Sequence, residues 1–115
     1  MDRPALPPPV AAALKRFKEA LGARFGDRLR EIVLFGSHAR GQAHEDSDVD
    51  VLVVITGLTE DERRDVMELA YDADAADRDA WVGLSPLPYS EIQAADMRSR
   101  ERLLFRDIDR EGLCL

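Results

Sequence analysis

Residues 34–55 read LFGSHARGQAHEDSDVDVLVVI, an apolar run that stops at a Gly-Ser pair and resumes after two carboxylates. The β-branched and aromatic residues at 31–35 and 49–55 predict two strands that are buried on both faces. A polar loop lies between these strands. We therefore expect the chemistry of the chain in this loop, where two core strands end.

Asp48 and Asp50 stand two residues apart at the start of the second predicted strand. Alternate residues of a strand share a face and lie about 6.5–7 Å apart, so both carboxylates should project the same way. Their mutual repulsion is relieved by solvent, by a shared proton or by a bound divalent cation. Because the ligand atoms are all oxygen, the expected cation is Mg²⁺ or Mn²⁺.

Gly36 and Ser37, at the end of the first strand, can offer backbone N–H groups and a hydroxyl to a phosphate. Each motif by itself also has a simpler interpretation, because Gly-Ser commonly forms a turn and Asp-x-Asp is commonly a solvated strand end. The loop is not a Walker A motif, since no Lys-Ser or Lys-Thr follows the second glycine. The combination of the two motifs is more informative than either one.

The combination is GS at 36–37, ten intervening residues and DVD at 48–50, with ARG at 39–41 and Ser47 inside. It resembles the signature of the minimal nucleotidyltransferases of the DNA polymerase β-like superfamily. The resemblance implies an α/β (α+β) fold with a small mixed sheet packed by helices on one face.

The same resemblance implies roles for individual residues. Gly36 and Ser37 would hold a nucleoside triphosphate, expected to be ATP, and Ser47 would belong to the same nucleotide site. Asp48 and Asp50 would be catalytic and would bind the Mg²⁺ or Mn²⁺ ions that organise nucleotidyl transfer. Arg40 would either reach phosphate bidentately or form a surface salt bridge.

The family pattern also has a third carboxylate, on the strand after the second long helix. Here the corresponding residues 80–88 read AWVGLSPLP and contain none. Asp79 precedes this strand, where it would either act as the third catalytic carboxylate or serve the helix-to-strand turn. Three alternatives stay open: an enzyme with two carboxylates, an enzyme that borrows a base, and a nucleotide-binding protein without turnover.

The order of elements follows from periodicity and from capping signals. We predict a helix from Val10 that stops at Gly26, a short helix over 38–42, a second long helix capped by Thr59 and Glu62, a strand over 81–87, a helical region capped by Ser90 and Gln93 and broken near Ser99, and a terminal strand at 113–115. Four prolines within residues 1–9 predict a flexible arm, followed by a single domain over 10–115.

Composition narrows the classes of function. The chain has 115 residues, of which 45% are hydrophobic, and no apolar run is long enough to span a membrane. It has one cysteine and no apolar signal-peptide core at the N-terminus, so a cytoplasmic location is expected. A net charge of -7 disfavours extended nucleic-acid binding. His38 and His44 are expected to be exposed loop residues and not metal ligands.

The leading hypothesis is an adenylyltransferase that moves AMP from Mg-ATP to a hydroxyl group, expected on a partner protein. The alternative is an antitoxin or nucleotide-binding module that neutralises a small helical HEPN-type toxin by binding without catalysis. The resemblance permits both, because minimal nucleotidyltransferases often act as such antitoxins. Modification of aminoglycoside-type antibiotics is a third hypothesis, weakened because such enzymes usually carry an additional substrate domain.

Overall fold

The computed structural model describes residues 6–40 and 48–115, apart from the side chains of Ser37 and Arg40. The elements are α1 (Pro8–Phe25), a 3-10 turn (Gly26–Arg28), β1 (Leu29–Phe35), α2 (Ser37–Arg40), β2 (Val49–Ile55), α3 (Glu60–Ala75), β3 (Leu84–Tyr89), α4 (Glu91–Arg100), α5 (Arg102–Glu111) and β4 (Leu113–Cys114). Among the described residues, no helix is both long and apolar enough to cross a membrane.

The four strands form one mixed sheet in the order β3-β2-β1-β4. β1 pairs antiparallel with β2 and with β4, whereas β2 and β3 run parallel. A parallel pair needs a crossover connection, and α3 lies within it. The register places Phe35 of β1 and Ser85 of β3 on either side of Asp50. The end of β1 and the start of β2 therefore lie side by side, at the same end of the two central strands.

Helices cover both faces of this sheet. On one face, α1 and α3 pack on alternate residues of the central strands, including Leu34, Val51 and Val53. On the other face, Phe105 and Ile108 of α5 and Ala94 of α4 pack on Val33, Leu52 and Val54. The α/β class with a mixed sheet is confirmed, but the expectation of helices on one face alone is wrong. Because β1 and β2 are apolar on both sides, each side needs a covering layer.

Most predicted elements are present, with small shifts at their ends. Both predicted capping boxes are confirmed, at Thr59–Glu62 and at Ser90–Gln93. α1 begins at Pro8, earlier than predicted, and Leu6 already packs against the core, while residues 1–5 of the predicted arm lie outside the described residues. The predicted break after α4 falls at Glu101.

The third strand differs most from its predicted bounds. β3 runs from Leu84 to Tyr89, so the predicted start at Trp81 is wrong by three residues. Pro86 and Pro88 are accommodated because β3 lies at the edge of the sheet, as predicted, where a strand can lack N–H donors. Before Leu84, the backbone instead turns at Gly83, beside Asp48.

Candidate active site

Asp48 and Asp50 lie on one face of the sheet, as their spacing predicts. Asp48 immediately precedes β2 and is exposed, whereas Asp50 lies within β2 and is half-buried. Residues alternate along β2, so both carboxylates share the face of Leu52, which is the face covered by α4 and α5. The helices do not cover Asp48, which is exposed, and Asp50 beside it is half-buried. Both carboxylates are therefore accessible at this end of β2.

Gly36 leaves the space that the Asp50 carboxylate occupies. The glycine follows β1 directly and has a φ of 76°, in the left-handed region that side chains rarely adopt. A Cβ placed on Gly36 would lie 2.6 Å from Oδ2 of Asp50. The backbone of the Gly-Ser turn is thus in contact with this carboxylate, and a side chain at position 36 would displace it.

Gly83 likewise leaves space for the carboxylate of Asp48. It has a φ of 77°, and a Cβ placed on it would lie 3.2 Å from Oδ1 of Asp48. The carbonyl oxygen of Gly83 accepts a hydrogen bond of 3.0 Å from the backbone N–H of Val49, between the two carboxylates. We call Asp48, Asp50, Gly36 and Gly83 the carboxylate site.

Asp74 of α3 is a residue that the sequence analysis missed. It is buried, with 1% of its surface exposed. Its carboxylate accepts three hydrogen bonds, from the backbone N–H groups of Val82 (2.7 Å), Gly83 (3.0 Å) and Leu84 (2.8 Å). Helical spacing could have revealed it, because Asp74 lies four residues after Ala70 and eight after Val66, on the buried stripe of α3.

The structure does not bring Asp79 to the carboxylate site. Asp79 is exposed in the turn after α3, where its backbone N–H donates to Oδ1 of Asp77 at 3.1 Å. Within residues 6–40 and 48–115, no three His, Cys, Asp or Glu side chains are grouped closely enough to hold a metal. Besides Asp48 and Asp50, the carboxylate of Asp74 lies at the start of the third strand, but it is already bound to backbone N–H groups.

The remaining predicted residues belong to the loop between β1 and β2. The backbone of Ser37 and Arg40 forms the ends of α2, so the predicted short helix is present but begins at Ser37 and not at His38. Residues 41–42 of the prediction, and the side chains of Ser37 and Arg40, lie outside the described residues. Ser47 and His44 lie outside them as well. His38 is buried, with 5% exposure, so the expectation that it is an exposed loop residue is wrong. The next residue, Ala39, is also buried and belongs to the hydrophobic core.

The donor set of Asp48 and Asp50 fits a hard divalent cation. Mg²⁺ is usually held by one or two carboxylates and completes its shell with waters and substrate phosphates. The two glycines allow backbone to approach both carboxylates without a side chain covering them. This chemistry suits a metal–triphosphate complex better than a closed site made of protein ligands alone.

The surface depressions differ in their relation to this site. A cleft of about 160 Å³ shares Gly36 with the site and is otherwise lined by Phe35, Leu104, Asp107, Ile108 and Glu111. Two larger depressions, of about 330 and 370 Å³, share Lys18, Cys114 and Leu115. They contain no residue of the carboxylate site, so their larger volume is not a reason to prefer them to that site as the place where a nucleotide binds.

Several known proteins are similar in sequence to this chain. Residues 14–102 match the family model described as a nucleotidyltransferase domain. The protein adenylyltransferase MntA of Thermococcus cleftensis is 52% identical over 44 residues, which cover 38% of this chain and 42% of that protein. A Methanocaldococcus jannaschii protein, named as a candidate protein adenylyltransferase, is 38% identical over 62 residues, 53% of this chain and 63% of that protein. The chain thus spans only part of the length of these relatives.

A solved structure also resembles the chain. The crystal structure of a candidate nucleotidyltransferase from Sulfolobus solfataricus aligns with a TM-score of 0.49 and 20% sequence identity. The alignment covers 96% of this chain and 87% of that one.

Proposed function

Because the chain belongs to the nucleotidyltransferase domain family, we propose that it transfers AMP from Mg-ATP to a hydroxyl group of a partner protein. The observation that carries this proposal is the pair of carboxylates on one face of β2, each in contact with a glycine backbone. The relatives named as protein adenylyltransferases support the choice of AMP and of a protein acceptor.

The chemistry follows from the charges at this site. An acceptor hydroxyl attacks the α-phosphorus in line, so that a new P–O bond forms while the bond to pyrophosphate breaks and the hydroxyl proton is released. A bound Mg²⁺ would neutralise the charge that develops on the leaving pyrophosphate. Asp48 and Asp50 would hold this cation, and the turn at Gly36 and Ser37 would border the phosphates from the side of Asp50.

The net charge of the chain bears on which molecules can supply the acceptor hydroxyl. The chain carries 23 acidic and 16 basic residues. This excess of negative charge weakens binding to a phosphate backbone, so tRNA and DNA ends are disfavoured as acceptors. We expect the hydroxyl to be that of a tyrosine, serine or threonine on a small helical protein, such as a HEPN-type toxin.

In a second candidate function, the chain binds the same kind of partner protein but does not transfer AMP to it. Among the described residues, no third carboxylate joins Asp48 and Asp50, and a general base for the acceptor hydroxyl is not assigned. An antitoxin that neutralises a HEPN-type ribonuclease by binding alone would not need this base. The experiment below separates the two functions.

The test is incubation of the purified protein with labelled ATP, Mg²⁺ and a small helical HEPN-type protein, taken from the neighbouring gene where that gene encodes one. We expect mass spectrometry to find one or more AMP adducts on the partner. Asp48→Asn/Asp50→Asn should abolish the adducts, whereas Asp61→Asn/Asp72→Asn, which removes two exposed carboxylates of α3, should keep them. Neutralisation of the partner without adducts would leave the binding function, and transfer to tRNA by the chain alone would contradict a protein acceptor.

A further inference from the structure

Asp74 has no part in the proposed chemistry, although it lies directly behind the carboxylate site. It is the buried acidic residue of α3, while the other carboxylates of that helix are exposed or half-buried. A buried carboxylate is costly unless hydrogen bonds compensate it, and bonds from N–H groups to an ionised acceptor are about twice as strong as neutral ones. The burial of Asp74 therefore depends on its three hydrogen bonds.

The three donors are consecutive, and an ordinary strand cannot present them together. In a regular strand, successive N–H groups point to opposite sides, so one carboxylate could not receive residues 82, 83 and 84. Here Gly83 adopts a φ of 77°, which turns the backbone so that all three N–H groups face Asp74. Successive N–H groups arranged in this way form a concave anion site, and the protein fills it with its own carboxylate.

This turn is also the wall beside Asp48. The carbonyl oxygen of Gly83 binds the N–H of Val49, and the α-carbon of Gly83 faces Oδ1 of Asp48. A continuous set of contacts thus runs from Asp74 through Gly83 to Val49 and Asp48. If the turn lost its anchor, Gly83 could relax from its positive φ, and the support next to Asp48 would move.

We propose that Asp74 is a positioning residue of the cation site. By holding the N–H groups of residues 82–84, it fixes Gly83 against Asp48 and so keeps the carboxylate of Asp48 on the face of the sheet that it shares with Asp50. It does not touch the cation or the nucleotide. The inference rests on the proposed function, because it assumes that Asp48 and Asp50 bind the cation.

The test compares Mn²⁺ affinity with stability in matched variants. Asp74→Asn keeps the shape of the side chain, but its NH₂ group cannot accept, so at least one of the three hydrogen bonds is lost. Val66→Ala, also buried on α3, should lower stability without removing a hydrogen bond from residues 82–84, because their N–H groups bond to Asp74. Asp72→Asn removes an exposed charge from the same helix. Dissociation constants for Mn²⁺ alone are measured by electron paramagnetic resonance at a temperature where every variant is folded.

We expect Asp74→Asn to weaken Mn²⁺ binding by about tenfold or more, the range found when residues that orient metal ligands are changed. Val66→Ala and Asp72→Asn should bind Mn²⁺ like the parent. Parent-like affinity in Asp74→Asn would overturn the proposal, and so would an equal loss in Val66→Ala. Failure of the parent to bind Mn²⁺ would instead overturn the cation site itself, and with it the proposed function.

A second measurement needs no variant at Asp74, in case that variant does not fold. Coupling between sites is reciprocal, so a cation held by Asp48 and Asp50 should stabilise the turn that supports them. Saturating Mg²⁺ should therefore slow hydrogen exchange at the N–H groups of Val82, Gly83 and Leu84 in the parent, but not in Asp48→Asn/Asp50→Asn. If Mg²⁺ is bound to the parent but the exchange rates of these three N–H groups do not change, the proposal is wrong.

Discussion

Gly36 shows how a single residue decides the shape of the candidate active site. Its positive φ and its contact with Asp50 are separate reasons why a side chain is unfavourable there. The sequence predicts Gly36 as part of a phosphate-binding turn, yet it cannot predict this contact. The contact depends on the pairing of Phe35 with Asp50, which places the two ends of the loop side by side.

We predict that Gly36→Ala weakens binding of Mg-ATP strongly and lowers stability by about 1–2 kcal/mol, the cost of a left-handed conformation in a residue with a side chain. The added methyl group must displace the Asp50 carboxylate, which a Cβ would approach to 2.6 Å. Calorimetric titration and thermal unfolding measure the two effects.

Gly22→Ala is the matched control. Gly22 is exposed within α1, and a Cβ there meets no atom within 4 Å. It should leave nucleotide binding unchanged and stabilise the helix by about 0.5–1 kcal/mol. If Gly36→Ala binds Mg-ATP as well as Gly22→Ala does, the contact with Asp50 has no role in the site.

At the scale of elements, the start of α3 is tied to the segment before β1. The guanidinium of Arg28 donates to both carboxylate oxygens of Glu62 at 2.8 Å, and the N–H of Thr59 donates to the same carboxylate. Arg28 first, and then Thr59, lowers the pKa of Glu62 from 4.5 to about 2. A lowered pKa in the folded state means that the ionised carboxylate favours folding.

The stabilisation by Glu62 should therefore be complete above pH 4.5 and should be lost as the pH falls through about 2. We predict that Glu62→Gln lowers the melting temperature at neutral pH, and that the difference from the parent shrinks across this window. Scanning calorimetry over a pH series measures it, with Glu68→Gln, exposed on the same helix, as the control. A difference that stays constant down to pH 2 would show that the charge of Glu62 is not the cause.

The elements also show why some parts were predictable. β2 has its predicted bounds because a run of valine, leucine and isoleucine, interrupted only by Asp50, is a local signal. β3 begins three residues later than predicted because the backbone turns at Gly83, where Asp74, on another element, binds the N–H groups of residues 82–84. A hydrogen bond between elements has no local signature beyond the helical spacing that places Asp74 on the buried stripe.

At the scale of the whole molecule, the layers around the sheet determine which face carries chemistry. The face of α1 and α3 is covered along the whole of β2, from Val49 to Ile55. The opposite face is covered by α4 and α5 at Leu52 and Val54, but not at Asp48. Helical periodicity predicts that α5 is amphipathic, but it does not indicate the face on which the helix packs. The sequence therefore predicts that Asp48 and Asp50 share one face of the sheet, as they do, but it predicts helices on one face where the structure has them on both.

Asp48 and Asp50 together are proposed to hold the cation of a bound nucleotide. Isothermal titration of Mg-ATP into the parent, Asp48→Asn/Asp50→Asn and the control Asp61→Asn/Asp72→Asn measures this role, with circular dichroism confirming that each protein is folded. We expect the parent and the control to bind Mg-ATP alike and Asp48→Asn/Asp50→Asn to show no measurable binding. If that variant binds Mg-ATP as tightly as the parent, the two carboxylates do not hold the cation.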